Sequence, residues 1–274
     1  MHKVRFTEEK ATMLATLYGR AIDNRRENPI LGDQAAEDAL AQIDYDFGSL
    51  GVDPDLARSV AARAKLIDGW AAEFLSEQPA ATVLHLGCGL DTRYLRLAPP
   101  ATVNWYDLDY PEVIALRREI FPERDSYRMI PSPVTEPGWL DDIPAGRPGL
   151  IVAEGLTMYL QPEEGAALLR RLVAHFPSGL LICDVYSRLG VKLQKLNPVV
   201  RRSGSTLHWG VDDPAEFEQY GLRPLTDIDA GAWADRDGLG RAFADASLGL
   251  RWQLALTRRV PALRRLARIG RWAF

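Results

Sequence analysis

The 274-residue chain has few cysteines, few histidines and no long apolar run. Two cysteines, Cys88 and Cys183, are too few for a disulfide framework or a four-cysteine metal site. No stretch reaches the roughly 18 to 20 apolar residues that span a bilayer, and the start lacks the apolar segment of a secretory signal. The four histidines are scattered and indicate no metal site. We therefore expect a cytoplasmic protein that binds neither a metal nor a membrane.

The chain also lacks a surplus of basic charge. It has 33 Lys and Arg against 37 Asp and Glu, a net charge of −4, whereas nucleic-acid binders are usually basic. We therefore expect no nucleic-acid partner. Residues 251–274 are an exception, since they hold seven arginines and no acid. A basic amphipathic end of this kind is also compatible with an anionic surface.

The apolar pattern changes at residue 82. Residues 7–78 have apolar positions at helical spacing and no convincing strand. After them, short apolar runs alternate with helical segments, which favours a parallel α/β sheet. The predicted strands are 82–86, 103–108, 149–153, 180–185, 222–228 and 268–274, with helices over 112–121 and 162–175.

The first of these strands runs into a glycine turn, Gly87-Cys88-Gly89. Two glycines let the backbone turn sharply and approach a ligand, and ligands of parallel sheets lie beyond the carboxyl ends of the strands. A dinucleotide fingerprint requires a third glycine where this chain has Thr92, and no Gly-Lys-Ser/Thr of a phosphate loop follows. The turn therefore favours a ligand with a ribose and no phosphate.

An acid at the end of the next strand supports a ribose ligand. Asp109 lies 20 residues after Gly89, which is the spacing at which an acid accepts ribose hydroxyls. Asp107 is on the same face of that strand, because side chains alternate with a period of two. Spacing alone does not choose between the two aspartates.

The motif around this turn, residues 85–93, resembles the leucine carboxyl methyltransferase family, and most closely its bacterial polyketide O-methyltransferase branch. The resemblance spans nearly the whole chain. It includes the segments 17–23, 62–68, 107–111, 154–160, 209–211 and 268–271.

The resemblance implies a class I methyltransferase, with a Rossmann-like, mostly parallel sheet, a helical N-terminal cap and a lid insertion. The cofactor would be S-adenosylmethionine and its product S-adenosylhomocysteine. The expected divisions are a cap over 1–78, a cofactor-binding core over 79–185, a substrate lid over 186–221, and the end of the sheet with C-terminal helices over 222–274. The arginine-rich tail then becomes a solvated helix followed by the closing strand.

Carried over residue by residue, the resemblance also implies a cofactor site. The glycine turn with Cys88 would border the methionine part, Asp109 would hold the ribose, and Arg63 would bind the methionine carboxylate through paired N–H donors. Glu154 would face the positive end of the cofactor. Ser132 and Val134 would lie near the adenine, although the family's acid is missing there.

The implied reaction is O-methylation of a small, polyketide-like aromatic acceptor. Candidate acceptor-binding residues are Tyr18, Arg20, Tyr159 and Trp209. A carboxylate acceptor is ionised at neutral pH and needs no general base, whereas a phenol does, and His208 is the one histidine of the insertion. Two alternatives stay open, namely an NAD-dependent oxidoreductase and a cofactor-binding protein without transfer activity.

Overall fold

The computed structural model describes residues 2–3, 9–196, 200–201, 204–229, 232, 243 and 246–274. Its helices are α1 (Glu9–Asn24), α2 (Gln34–Leu40), α3 (Pro54–Glu77), α4 (Arg93–Leu97), α5 (Pro111–Ile120), α6 (Pro162–His175), α7 (Arg188–Lys192), α8 (Leu248–Arg259) and α9 (Pro261–Arg264). Its strands are β1 (His2–Lys3), β2 (Ile43–Asp44), β3 (Thr82–Leu86), β4 (Asn104–Asp109), β5 (Tyr127–Pro131), β6 (Gly149–Ala153), β7 (Gly179–Tyr186), β8 (Arg223–Asp229) and β9 (Ala267–Ala273). Short 3-10 segments cover Phe47–Leu50, Gly138–Leu140, Thr157–Tyr159, Gln194–Leu196 and Pro214–Tyr220.

A seven-stranded sheet in the order β5-β4-β3-β6-β7-β9-β8 forms the centre of the molecule. The strands from β5 to β7 are parallel, and β9 runs antiparallel to both β7 and β8. Strand order reverses between β3 and β6, which opens a crevice at the carboxyl ends of these strands. The prediction of a mostly parallel α/β sheet is confirmed.

The central strands β3, β6 and β7 are buried on both faces, which explains their near-continuous apolar sequences. Alternate residues of β3 enter different clusters: Val83 packs with Ile67 of α3 and Ile114 of α5. Leu84 packs with Leu168 of α6 on the other face. The helices α3 and α5 therefore cover one face and α6 covers the other.

The long helix α3 shows how local sequence positions the site. The Asp53 side chain accepts a hydrogen bond of 2.8 Å from the Leu56 N–H, and Pro54 occupies the first turn. Both features favour a helix start at this point. The helix then runs to Glu77 and carries Arg63 toward the carboxyl edge of β6.

Two of the structural expectations need correction, and part of a third lies outside the described residues. The expectation of no strand before residue 82 is wrong, because β1 and β2 pair in parallel, although each has only two residues. Strand β5 is absent from the predicted strands, since exposed Arg128 interrupts it and Pro131 ends it at the sheet edge. The predicted helical section began at residue 7, and residues 7 and 8 lie outside those that the structure describes.

The C-terminal tail folds as a helix and a strand. In α8, Leu248, Trp252 and Leu256 are exposed, and β9 pairs with both β7 and β8. The expected solvated helix and closing strand are therefore confirmed. Within the described residues, no helix is long and apolar enough to cross a membrane.

Candidate active site

The turn after β3 requires both of its glycines. Gly87 and Gly89 have positive φ angles of 61° and 49°, a region that strains other residues. A Cβ at Gly87 would lie 3.1 Å from Leu156 Cδ1, and one at Gly89 would lie 2.9 Å from Met13 Cβ. A side chain at either position would therefore strain the backbone and crowd a neighbouring residue, so the turn requires glycine at both.

Asp109 ends β4 beside this turn. Its Oδ2 accepts a hydrogen bond of 2.7 Å from the Gly89 N–H, and its Oδ1 accepts one of 2.8 Å from the Tyr110 N–H. A carboxylate has about four acceptor positions, so each oxygen retains capacity for a ligand hydroxyl. Burial raises the pKa of Asp109 above its ordinary value, despite these two backbone hydrogen bonds.

Asp107, two residues earlier, lies beneath the turn rather than in the crevice. It is fully buried and accepts hydrogen bonds from Arg117, from Tyr127 Oη (2.6 Å) and from Trp105 Nε1 (2.8 Å). Burial alone would raise the pKa of Asp107, but the Arg117 guanidinium outweighs it and holds that pKa well below the ordinary range. The structure therefore distinguishes two aspartates that sequence spacing did not.

A cavity of about 640 Å³ occupies the carboxyl edge of the sheet. It brings together all but two of the residues predicted for the site. Those that line it are Arg20, Arg63, Gly87, Cys88, Gly89, Asp109, Ser132, Val134, Glu154, Tyr159 and His208.

Tyr18 and Trp209 do not line the cavity, so their expected place at the acceptor is corrected. On α1, Thr12, Thr16 and Arg20 face the cavity at intervals of four residues. Tyr18 lies two residues from Thr16, about 200° around the helix, and packs 5.5 Å from the Phe47 ring. Trp209 is buried between α6 and the Pro214–Tyr220 segment, where its ring lies 5.5 Å from that of Phe217.

Arg63 and Glu154 form the polar side of the cavity next to the glycine turn. Arg63 Nη1 donates to Asp184 Oδ2 at 2.8 Å, and Glu154 Oε2 accepts from Arg93 at 2.5 Å. Arg63 Nε and Glu154 Oε1 form a buried ion pair at 2.8 Å, which ties the two side chains together. Burial would raise the pKa of Glu154, yet the two guanidinium groups outweigh it and lower that pKa.

Arg20 is also at the cavity, but its charge is already paired. It is buried, donates to the Leu90 carbonyl at 3.3 Å, and lies 3.4 Å from an Asp91 oxygen.

Thr92 donates its hydroxyl proton to Asp33 of the segment before α2. The side chain that replaces the third glycine of a dinucleotide turn therefore connects the turn to the N-terminal helices.

Two of the histidines are engaged in structural contacts. His85 Nε2 lies 2.9 Å from Arg93 Nη1 and its Nδ1 lies 3.2 Å from Asp107. Because arginine only donates, Nε2 accepts and the ring proton is assigned to Nδ1, which leaves no free basic nitrogen. His175 Nε2 lies 2.8 Å from the Ile143 carbonyl. His208 is exposed at the rim of the cavity.

Sequence reasoning missed Asp184, which orders the far side of the turn region. Its Oδ1 accepts a hydrogen bond of 2.6 Å from the Gly155 N–H, and its Oδ2 binds Arg63. The available signal was positional: Asp184 follows the apolar residues 180–183 of β7, as Glu154 follows the apolar strand β6. An acid at the carboxyl end of each of these parallel strands marks the edge where the ligand site lies.

Comparison with known proteins adds independent findings. A family model described as leucine carboxyl methyltransferase matches residues 11–173. The chain is 42% identical over 273 residues to the tetracenomycin polyketide synthesis O-methyltransferase TcmP of Streptomyces glaucescens, covering 99% of this chain and 98% of that protein. It is 35% identical to the S-adenosyl-L-methionine-dependent methyltransferase dpfgK of Gibberella zeae, covering 80% of each.

Solved structures show the same fold at low sequence identity. A DUF574 family protein from Streptomyces avermitilis superposes with a TM-score of 0.58 at 15% identity, covering 93% of this chain and 96% of that one. The cyclopropane synthase MmaA2 of Mycobacterium tuberculosis superposes with a TM-score of 0.50 at 15% identity, covering 98% and 99%. These likenesses bear on the fold alone.

Proposed function

The chain belongs to the leucine carboxyl methyltransferase family and is an S-adenosylmethionine-dependent methyltransferase of the class I fold, and from this premise we propose what it methylates. The acceptor is a small, polyketide-like aromatic molecule, and the acceptor atom is an oxygen of a carboxylate or a phenol. The observation that carries this proposal is the 42% identity to a polyketide O-methyltransferase over 99% of the chain. Family membership favours methyl transfer over the hydride transfer of the oxidoreductase alternative.

The residues of the cavity fit the cofactor. Gly87 and Gly89 adopt a turn in which a Cβ would press against Leu156 or Met13, and Asp109 keeps acceptor capacity for ribose hydroxyls. The Arg63 guanidinium is suited to a carboxylate and the Glu154 carboxylate to an ammonium group, and both side chains line the cavity. Cys88, Ser132 and Val134 also line the cavity. We assign Asp109 to the ribose and Ser132 and Val134 to the adenine. The methionine part falls to Arg63, Gly87, Cys88, Gly89 and Glu154.

When bound, S-adenosylmethionine supplies a methyl group activated by a sulfonium charge. The chain's own contribution is alignment and exclusion of water, since methyl transfer requires the acceptor oxygen in line with the methyl carbon. Helices α1 and α3 supply Thr12, Met13 and Val60 to one wall of the cavity, and Met158 and Leu207 line the opposite half. These walls shield the reacting atoms and accommodate an apolar ring system.

The acceptor group decides whether the protein must move a proton. A carboxylic acid with a pKa near 4 is ionised at neutral pH, whereas a phenol with a pKa near 10 must lose its proton. Among the described residues that line the cavity, Glu154 and Asp91 are paired with arginines and His85 has no free basic nitrogen. His208 is therefore the residue we assign as base for a phenol acceptor.

The same proposal includes the enzyme's partner molecules and its location in the cell. The enzyme acts on a free small molecule in the cytoplasm and uses no nucleic acid. Its N-terminal cap (1–78) and lid (186–221) close over the core and determine the acceptor. Tyr159, which lines the cavity, is the aromatic side chain we assign to contact an acceptor ring.

Native mass spectrometry of the purified protein tests the proposal first, because co-purified S-adenosylhomocysteine and acceptor appear as added mass. A pair of matched probes then separates the two acceptor classes, namely anthraquinone-2-carboxylate and 2-hydroxyanthraquinone. Alkaline hydrolysis releases methanol from a methyl ester and not from a methyl ether. Transfer to neither probe, nor to any acceptor found by mass spectrometry, would contradict the proposed activity.

A further inference from the structure

Residues 205–208, called the strap here, form one wall of the cavity. Leu207 is 2% exposed and belongs to an apolar cluster with Met158 and Val200. The His208 N–H donates a hydrogen bond of 2.8 Å to the Met158 carbonyl. The strap is therefore attached on one side to the segment that follows β6.

The Gln194 side chain holds the strap on its other side. Gln194 Oε1 accepts a hydrogen bond of 2.8 Å from the Leu207 N–H, and Gln194 Nε2 donates one of 3.1 Å to the Leu207 carbonyl. In a sheet, a neighbouring strand would satisfy these two backbone groups. Here one amide does so, because an amide offers both an acceptor and a donor.

The strap lies at the half of the cavity away from the ribose site. Its neighbours Met158 and Tyr186 follow or end β6 and β7, whereas Asp109 ends β4. Strands β4 and β7 are separated by β3 and β6, which makes three inter-strand steps of about 4.8 Å, or about 14 Å. The strap therefore borders the space left for the acceptor.

We infer that Gln194 is a positioning residue for the acceptor, because its amide fixes the strap that forms the acceptor wall. The inference rests on the proposed function, since it needs a cofactor at the Asp109 half of the cavity. Without the amide, the N–H and carbonyl of a buried leucine lose their partners, so the wall shifts or opens to water. Both atoms of the Gln194 amide bond to the backbone of Leu207, in the half of the cavity away from Asp109.

Gln194→Glu is the most informative variant. The carboxylate keeps an acceptor for the Leu207 N–H, but it places a second oxygen against the Leu207 carbonyl and removes the donor. Gln194→Ala removes both hydrogen bonds. We expect either variant to raise the KM for the acceptor by about tenfold, with kcat and the affinity for S-adenosylhomocysteine changed less than about twofold.

Gln219 supplies the matched control. Its Nε2 donates to the Glu216 carbonyl at 2.8 Å in the exposed Pro214–Tyr220 segment, and it does not line the cavity. Gln219→Glu and Gln219→Ala therefore repeat the chemical changes away from the strap. We expect these variants to bind the probe anthraquinone-2-carboxylate as the wild type does.

Hydrogen exchange of the full chain, measured by mass spectrometry, tests the inference without a known acceptor. The expected result for both Gln194 variants is exchange of the Leu207 amide at least tenfold faster, with exchange over residues 82–93 unchanged. In the presence of S-adenosylhomocysteine, affinity for anthraquinone-2-carboxylate should fall about tenfold. Unchanged Leu207 exchange would overturn the inference, as would faster exchange with undiminished probe affinity. If the wild type itself binds no aromatic probe, the proposed acceptor class fails, while the exchange rates still decide whether Gln194 holds the strap.

Discussion

The Gly89 N–H donates a hydrogen bond of 2.7 Å to Asp109 Oδ2, which joins the glycine turn after β3 to the end of β4. The opposite side of the same glycine is also held, because Arg117 Nη1 donates to the Gly89 carbonyl at 2.9 Å. Arg117 is in turn paired with Asp107. Two aspartates on one face of β4 thus support one turn, Asp109 from the cavity and Asp107 from the core.

The core aspartate should control stability. In Asp107→Asn, the buried Arg117 loses its charged partner, so we expect the free energy of unfolding to fall by about 3 kcal/mol. Urea denaturation followed by circular dichroism measures the change. Asp125→Asn is the control, since Asp125 is exposed on the loop before β5. Equal stability of the two variants would show that the buried pair contributes little.

The glycine turn should tolerate no side chain. Gly89→Ala forces a residue with a Cβ into a left-handed backbone and against Met13, so we expect affinity for S-adenosylhomocysteine to fall by about tenfold or more. Gly87→Val should have at least as large an effect. Gly138→Ala serves as control, because a Cβ there meets nothing within 4 Å. If calorimetry gave the Gly89 and Gly138 variants the same affinity, the turn would not be the cofactor cradle.

Cofactor affinity should depend on pH through Asp109. Burial raises the pKa of Asp109 above 3.8, and only the ionised carboxylate offers acceptors on both oxygens without a competing proton. Affinity for S-adenosylhomocysteine should therefore be constant near neutral pH and fall as the pH drops through this raised pKa. An Asp109→Asn variant should bind weakly and show no such fall. A wild-type affinity that stays constant as the pH falls to the ordinary pKa of a carboxyl group would contradict this assignment.

Acid should destabilise the folded chain through two carboxylates whose pKa values are shifted in the opposite direction to that of Asp109. The pKa values of Asp107 and Glu154 are lowered in the folded chain, because neighbouring arginines outweigh burial. Their contribution to stability is then complete above the pKa of about 4 of an unfolded chain and is lost as the pH falls toward their lowered values. Thermal melting between neutral and acidic pH measures this loss. A melting temperature that rises on acidification would contradict the ion pairs.

His208 should matter for only one class of acceptor. With 2-hydroxyanthraquinone, His208→Ala should lower kcat by about a hundredfold or more, since general-base catalysis contributes on this order. With anthraquinone-2-carboxylate, the same variant should transfer at the wild-type rate. His175→Gln is a control, because His175 contacts the Ile143 carbonyl away from the cavity. Equal rates for the His208 variant and the wild type on the phenol would remove the base role.

The sequence predicted the parallel strands well because their burial on both faces leaves continuous apolar runs. It missed β5, where Tyr127 and Met129 are buried but Arg128 is exposed, a pattern too short to distinguish from a loop. It identified the glycine turn and left the choice between Asp107 and Asp109 open. That choice depends on Arg117, a residue on the next helix whose direction spacing does not give.

The side chains that line the proposed acceptor half of the cavity were harder to predict than those of the cofactor half. Asp109 and Glu154 of the cofactor half end or follow strands, so strand ends locate them. Acceptor-half walls come from helices and from the strap, where a shift of two residues reverses the direction of a side chain. Tyr18 on α1 therefore packs on Phe47, while Arg20 faces the cavity.

The most direct test of the central claim is isothermal calorimetry of S-adenosylmethionine binding to wild type and Asp109→Ala. Loss of a charged acceptor for two hydroxyl groups should weaken binding by about a hundredfold, with the far-ultraviolet circular dichroism spectrum unchanged. That result would place the ribose of the cofactor at the end of β4. An unaltered affinity in the folded variant would contradict the proposed cofactor site.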